Sequence, residues 1–97
     1  MVVVHTKETL KDFAGLPLKD GDKEITNGAI LVNALTMPRA GDENVSGEEK
    51  LKRYELARKL YTSEVVDLTS EQVVTLRELV SKTYSVVVTG QILEWLK

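Results

Sequence analysis

The stretch SGEEKLKRYELARKLYTSEVVDLTSEQVVTLRELVSK, which covers Ser46–Lys82, decides the fold because it encodes two capped amphipathic helices. Ser46 followed three residues later by Glu49 has the spacing of a capping box, in which each side chain bonds the other residue's backbone amide. The first helix is therefore predicted to run from Gly47 to about Tyr61.

The second helix begins with the same signal, since Thr69 is followed at the same spacing by Gln72. It is predicted to continue to about Thr83, with an apolar stripe on one side and charged residues on the other. Between the two helices, Val65–Leu68 interrupts the helical period. These residues are expected to be extended and to be able to pair with an N-terminal hairpin.

The first helix is predicted to lie on the surface with one side buried. At about 100° per residue, its apolar residues fall on one broad side and its charged residues on the other. The charged side offers two i,i+4 pairs in the favourable Glu-first order, Glu48–Lys52 and Glu55–Lys59. The residues on the broad apolar side are Leu51, Tyr54, Ala57, Leu60 and Tyr61.

Upstream of this stretch, Ala29–Leu35 is apolar nearly all round and predicts a central, buried helix. Thr26 is a good N-cap for it, and Pro38 should end it after Met37, because the residue before a proline avoids helical geometry. Val2–Leu10 is rich in valine and threonine and predicts a strand.

A return strand is predicted at Leu16–Leu18, after a turn at Ala14 and Gly15, which together would make a small N-terminal β-hairpin. At the other end of the chain, 85–96 has two interpretations, because three adjacent valines favour a strand whereas the later apolar residues have helical spacing. A helix is the predicted structure. Within it Gly90 costs about 1 kcal/mol relative to alanine, so close packing or a break is expected there.

The 97 residues are expected to form a single domain, residues 1–97, of the α+β class, with the N-terminal β-hairpin followed by a bundle of about four helices. A formal charge of −2 and a pI near 5.4 provide no general attraction for nucleic acid or anionic lipid. The chain has no cysteine and no apolar run of membrane-spanning length, which favours a cytoplasmic protein without a membrane partner.

Motifs for catalysis are missing from the sequence. His5 is the only histidine and has no nucleophile, carboxylate or metal-spaced partner near it. Asp20–Glu24 places oxygen atoms at alternate positions but lacks the glycine and the distant glutamate of an EF-hand loop, so a solvated turn is favoured. No phosphate-binding loop, dinucleotide fingerprint or nucleophile elbow occurs. We therefore expect no enzyme activity, no metal and no cofactor.

A basic run lies within the first helix from Lys50 to Lys59, with Tyr54 inside it and Tyr61 just after it. Lys52, Arg53 and Lys59 are the residues that could contact phosphates if the protein were a small nucleic-acid-binding regulator. Glutamates interrupt the run, so a solvated helix face is the preferred interpretation and the regulator is the alternative function.

Five blocks of the sequence resemble a group of small proteins encoded by phages and prophages. The blocks are LKDFAGLPLKDGDKEIT (10–26), GAILVNAL (28–35), SGEEKLKRYELARKLY (46–61), VVDLTSEQVVTLRELVSKTY (65–84) and VVVTGQILEWL (86–96). They span nearly the whole chain, and none of them is a mechanistic motif. The resemblance implies a viral origin, an intracellular location and an accessory protein that binds another protein, and it transfers no functional residues.

The predicted function is therefore protein–protein interaction, either self-assembly as a homo-oligomer or binding of a virion or host protein. Aromatic side chains supply much of the binding energy of protein interfaces, because they bury a large area at a low cost in conformational entropy. The predicted interface residues are Tyr54, Tyr61, Tyr84 and Trp95.

Overall fold

The computed structural model describes residues 2–97 and has the predicted α+β fold, with an N-terminal strand in a two-stranded antiparallel sheet and four helices. The elements in chain order are β1 (Val2–His5), β2 (Lys19–Asp20), β3 (Lys23–Glu24), α1 (Asn27–Thr36), α2 (Gly47–Thr62), β4 (Val65–Leu68), α3 (Ser70–Thr83) and α4 (Val86–Trp95). A short 3₁₀ helix, Asp42–Asn44, lies between α1 and α2.

The N-terminal strand pairs with β4, in antiparallel register from Val2 opposite Leu68 to His5 opposite Val65. This confirms the predicted extended piece between the two long helices and its pairing with the N-terminus. Both strands bury alternate residues, so one face of the sheet lies on the core.

The return strand predicted at Leu16–Leu18 is reduced to an isolated bridge between Lys11 and Pro17. Proline has no amide hydrogen to contribute to a ladder, and Leu16 is exposed, so this segment cannot bury a strand face as β4 does. The predicted hairpin is therefore held by two backbone hydrogen bonds on either side of this bridge: the Leu18 amide donates to the Leu10 carbonyl at 2.9 Å, and the Asp12 amide donates to the Leu16 carbonyl at 2.9 Å.

The central helix is α1, which packs against α2 and α3. Thr26 Oγ1 accepts from the Ala29 amide at 3.2 Å, as its N-cap role predicts. Met37 is extended, with φ of −68° and ψ of 128°, immediately before Pro38. Most of the apolar residues of α1 are buried, so the prediction of a central buried helix is confirmed.

The cap of α3 is a complete capping box: the Thr69 amide donates to Gln72 Oε1 at 2.9 Å, and the Gln72 amide donates to Thr69 Oγ1 at 3.1 Å. The cap of α2 is half of one. The Glu49 amide donates to Ser46 Oγ at 3.1 Å, but the Glu49 carboxylate lies 3.8 Å from Arg53 Nε instead of bonding the serine amide. The nearby cation attracts the carboxylate away from the cap, so this half of the prediction is wrong.

The predicted apolar side of α2 is confirmed in part, since Ala57 and Leu60 are buried, but Leu56 completes the buried side in place of the other predicted residues. Leu51 and both tyrosines of α2 face solvent. Arg53 is half-buried on the inner side, where it forms the i,i+4 pair with Glu49. Within residues 2–97 the predicted Glu48–Lys52 and Glu55–Lys59 pairs do not approach within 4.0 Å. The packing of α2 against α1 therefore determines which residues of α2 are buried and which of its charged residues form an ion pair.

At the carboxyl end, the predicted helix is confirmed as α4, and it continues through Gly90 without a break. It closes the core with Ile92, and the residue that follows the helix, Leu96, is buried beside it. The buried apolar side chains form one cluster with contributions from the sheet and the helices.

Candidate interaction surfaces

The most exposed aromatic side chain in residues 2–97 is that of Phe13, at 93% exposure, in the loop between β1 and β2. Leu16, three residues further on, is 63% exposed. Together Phe13 and Leu16 form a projecting apolar surface, called here the Phe13 tip. The sequence interpretation did not assign an interface role to either residue, although a phenylalanine inside a turn is the kind of signal that could have indicated one.

The Phe13 tip is held by a network of hydrogen bonds that centres on Asp12. The Asp12 Oδ1 atom accepts from the amides of Ala14 and Leu16 at 2.9 and 3.0 Å. The Asp12 amide donates to the Leu16 carbonyl at 2.9 Å, and the Gly15 amide donates to the Asp12 carbonyl at 3.0 Å. Gly15 adopts a φ of 84°, which favours glycine. The turn is therefore ordered before any partner binds.

The side chain of Gln91 in α4 attaches the base of this turn to the body of the protein. The Lys11 amide donates to Gln91 Oε1 at 2.9 Å, and Gln91 Nε2 donates to the Lys11 carbonyl at 2.6 Å. The side-chain amide thus bonds the loop backbone in the way that a neighbouring strand would. Leu10, just before Lys11, is fully buried and secures the loop to the core.

A second exposed apolar surface runs along the outer side of α2. It comprises Leu51, Tyr54 and Tyr61, and is called here the α2 stripe. Both tyrosines were predicted interface residues, and Tyr61 is 81% exposed. The Arg58 guanidinium lies 5.6 Å from the centre of the Tyr54 ring, a cation–π distance that orients this ring.

The other two predicted interface residues, Tyr84 and Trp95, are half-buried and pack against the core. The Tyr84 Oη atom is buried without a hydrogen-bond partner. Trp95 borders a cavity of about 100 Å³ beside Val3 and His5. The structure thus places the four aromatic residues in two settings, with Tyr54 and Tyr61 on an accessible stripe and the other two largely inside.

The three predicted phosphate-contacting residues, Lys52, Arg53 and Lys59, do line one groove, which lies between α2 and α3 and has a volume of about 390 Å³. Three carboxylates line the same groove: Glu49, Glu55 and Glu71. Because the formal charges cancel, the groove has no net field to attract a phosphate backbone.

Ion pairing continues beyond this groove, where Arg53 also borders a second cavity with Glu78 and Lys82. Lys82 Nζ lies 2.9 Å from the Glu78 carboxylate and holds the pKa of that carboxyl below its ordinary value through a hydrogen bond and charge attraction. Arg53 and Lys82 thus each lie within 4.0 Å of a carboxylate, whereas Lys52 and Lys59 have no carboxylate at that distance within residues 2–97.

The residues considered for catalysis or metal binding are dispersed. His5 is exposed in β1 opposite Val65, and Asp20–Glu24 forms the exposed β2–β3 hairpin, in which Gly21 has a φ of 66°. Across residues 2–97, no group of three or more His, Cys, Asp or Glu side chains is arranged to hold a metal ion. In the same part of the chain, every helix is too short or too polar to cross a bilayer.

Comparisons with protein-family models, with curated proteins and with solved structures give no match to this chain.

Proposed function

We propose that this chain is a non-catalytic accessory protein of phage or prophage origin that acts in the host cytoplasm by binding another protein. The Phe13 tip is the observation that carries the proposal. Burying a phenylalanine side chain contributes about 1.5–3 kcal/mol, and Phe13 makes almost none of that contribution to the fold. A partner that covered Phe13 would gain this free energy.

The order of the turn strengthens this argument. Immobilising a flexible loop on binding costs conformational entropy, and a loop that is already ordered avoids most of that cost. The hydrogen bonds to Asp12 and Gln91 provide this order. A rigid, projecting phenylalanine fits a concave apolar pocket on the partner, which is the usual arrangement of an interface hot spot.

Affinity capture from cells that carry the phage or prophage tests the proposal. The tagged chain should retain a specific protein, and the double substitution Phe13→Ser with Leu16→Ser should abolish its retention. Val74→Ser is the matched control, because Val74 is 64% exposed and Leu16 63% exposed. A second pair, Tyr54→Ser with Tyr61→Ser, tests the α2 stripe separately. If the tip substitutions left capture unchanged, the Phe13 tip would not be the binding surface.

The alternative, a small nucleic-acid-binding regulator, is favoured by one observation: the α2–α3 groove brings Lys52, Arg53 and Lys59 onto a single surface. It predicts salt-sensitive binding of DNA or RNA that weakens when the three residues are replaced by alanine. Absence of any gel shift at low salt would exclude this function. The charge balance of the groove makes protein binding the better-supported proposal.

A further inference from the structure

The helix α4 is mostly apolar but is covered on one side only: Val88, Leu93 and Trp95 pack against the core, and the exposed residues are Val86, Gly90 and Glu94. Glu94 is the only charged residue within Val86–Trp95, yet Ile92 is the only residue of this helix that is fully buried. Val86 is 84% exposed, and Gly90 is exposed at the middle of the same face. An apolar helix is normally covered on all sides, so part of the α4 surface lacks its cover.

Contacts within one chain do not explain why a glycine occupies position 90, in the interior of α4. Glycine is less favourable in a helix than every residue except proline, so its presence in a helix interior calls for a break, an unusual φ or a close contact. The helix is unbroken at this point and the φ of Gly90 is not positive. A Cβ atom built on Gly90 would have no atom of another residue within 4 Å.

We propose that α4 packs antiparallel against α4 of a second copy of this chain, with the two helices crossing at Gly90. The missing side chain would then permit close approach of the two backbones. This proposal concerns a different surface from the Phe13 tip and does not depend on the function proposed above.

Charge complementarity identifies the occupant as a second copy in the antiparallel orientation. The side chain of Ser85 makes no capping hydrogen bond, so the first amide groups of α4 keep unused N–H donors and the positive end of the helix dipole. Glu94, at the other end of the same face, has a carboxylate that suits these donors, since its side chain is 71% exposed and its one charged neighbour, Lys97 Nζ, is 4.0 Å away, beyond hydrogen-bond distance. A parallel pair would instead bring the two glutamates together.

The register of these groups agrees with a crossing at Gly90. Val86 lies four residues before Gly90 and Glu94 four residues after it, which places each about 6 Å from the crossing at 1.5 Å per residue. In an antiparallel pair, Glu94 of one copy therefore lies level with the free amide groups at the start of the other α4. In the same arrangement the exposed side chain of Val86 meets the exposed part of Leu93, which is otherwise half-buried against the core.

A helix of ten residues offers less than the area of about 800 Å² per partner that stable complexes bury. The dimer is accordingly expected to be weak, with a dissociation constant on the order of 0.1 mM. Sedimentation equilibrium of the full chain between about 10 µM and 1 mM covers this range and measures the constant directly.

Gly90→Leu should raise the dissociation constant at least tenfold, because its side chain occupies the crossing point. Gly47→Leu is the matched control, since Gly47 is also a helical glycine with open space around it and lies in α2. Glu94→Gln should weaken the dimer by a smaller factor. Urea unfolding of each variant establishes that it is folded. A wild-type chain that stays monomeric at 1 mM, or a dimer that Gly90→Leu leaves unchanged, would overturn the proposal.

Discussion

Replacing Gly28 with alanine should destabilise the fold, because α1 begins there in close contact with the residue that follows β1. A Cβ atom on Gly28 would lie 2.8 Å from Thr6 Cβ and 2.9 Å from the Thr6 carbonyl oxygen. The Gly28 amide donates to that carbonyl at 2.8 Å, and Thr6 Oγ1 donates to the Ser63 carbonyl at 2.6 Å. Thr6 therefore cannot move away without breaking buried hydrogen bonds.

The expected decrease in the free energy of unfolding of Gly28→Ala is the difference between two opposing effects. Overpacking of this kind costs about 1–3 kcal/mol, and the contact here includes backbone atoms that have no alternative rotamer. Alanine in place of glycine recovers up to about 1 kcal/mol of helix propensity, less near the helix start. A net destabilisation of about 1–2 kcal/mol corresponds to a decrease in Tm of about 4–16 °C for a chain of this size.

Gly90→Ala is the matched comparison, because the same chemical change occurs in a helix with open space around it. In the monomer it should stabilise the fold by up to about 1 kcal/mol. Urea unfolding at micromolar concentration, followed by the fluorescence of Trp95 and by circular dichroism, measures both variants. A midpoint for Gly28→Ala equal to or above that of the wild type would refute the steric argument.

Three further predictions concern the loop, the tip and an ion pair. Gln91→Ala removes both hydrogen bonds to Lys11 and should reduce the free energy of unfolding by about 1–2 kcal/mol in urea titrations. Phe13→Ser should change the free energy of unfolding by less than about 0.5 kcal/mol, since the Phe13 side chain is almost fully exposed. Lys7 lowers the pKa of Glu64 by a hydrogen bond and its charge, so this pair favours the folded state above the ordinary Glu pKa and loses that effect as pH falls through the lowered value. NMR titration of Lys7→Met should show the pKa of Glu64 returning toward its ordinary value of 4.5.

The helices were predictable because the signals that start and end them are local. The reciprocal bonds of Thr69 and Gln72 join residues three positions apart, and Pro38 acts on the residue before it. Such signals depend on the identity of a few neighbouring residues and on backbone geometry. The bounds of α2 and α3 therefore agree with the sequence pattern to within one or two residues.

The buried side of α2 was not predictable on the same basis. This helix has apolar residues on two sides, Leu51 with the tyrosines on one and Leu56 with Leu60 on the other. Periodicity alone cannot choose between them, because the choice depends on where α1 lies. The pairing of β4 with the N-terminus was predicted from the extended interruption between the two helices, but its register was not, because β1 and β4 are about sixty residues apart and no local signal aligns them.

The exposure of Phe13 could not be predicted from the residues around it either. A lone phenylalanine between Leu10 and Leu16 suits a core as well as a surface, and composition does not distinguish the two. The loop instead directs Leu10 inward, and the turn at Asp12 carries Phe13 beyond the body of the protein. The base of the turn is fixed by the two hydrogen bonds between Lys11 and Gln91, which lie 80 residues apart, and the sequence pattern does not show this contact.

The two proposed surfaces are connected through α4. Gln91 follows Gly90 by one residue, which rotates its side chain about 100° away from the proposed dimer face and toward Lys11. In the proposed dimer the Phe13 tip would therefore lie outside the face on which the two α4 helices pack. Such a dimer would present two tips related by a two-fold axis. Two weak apolar contacts on one rigid assembly bind a repeated target far more tightly than either alone, which gives a weak dimer a functional use in binding arrays of identical proteins.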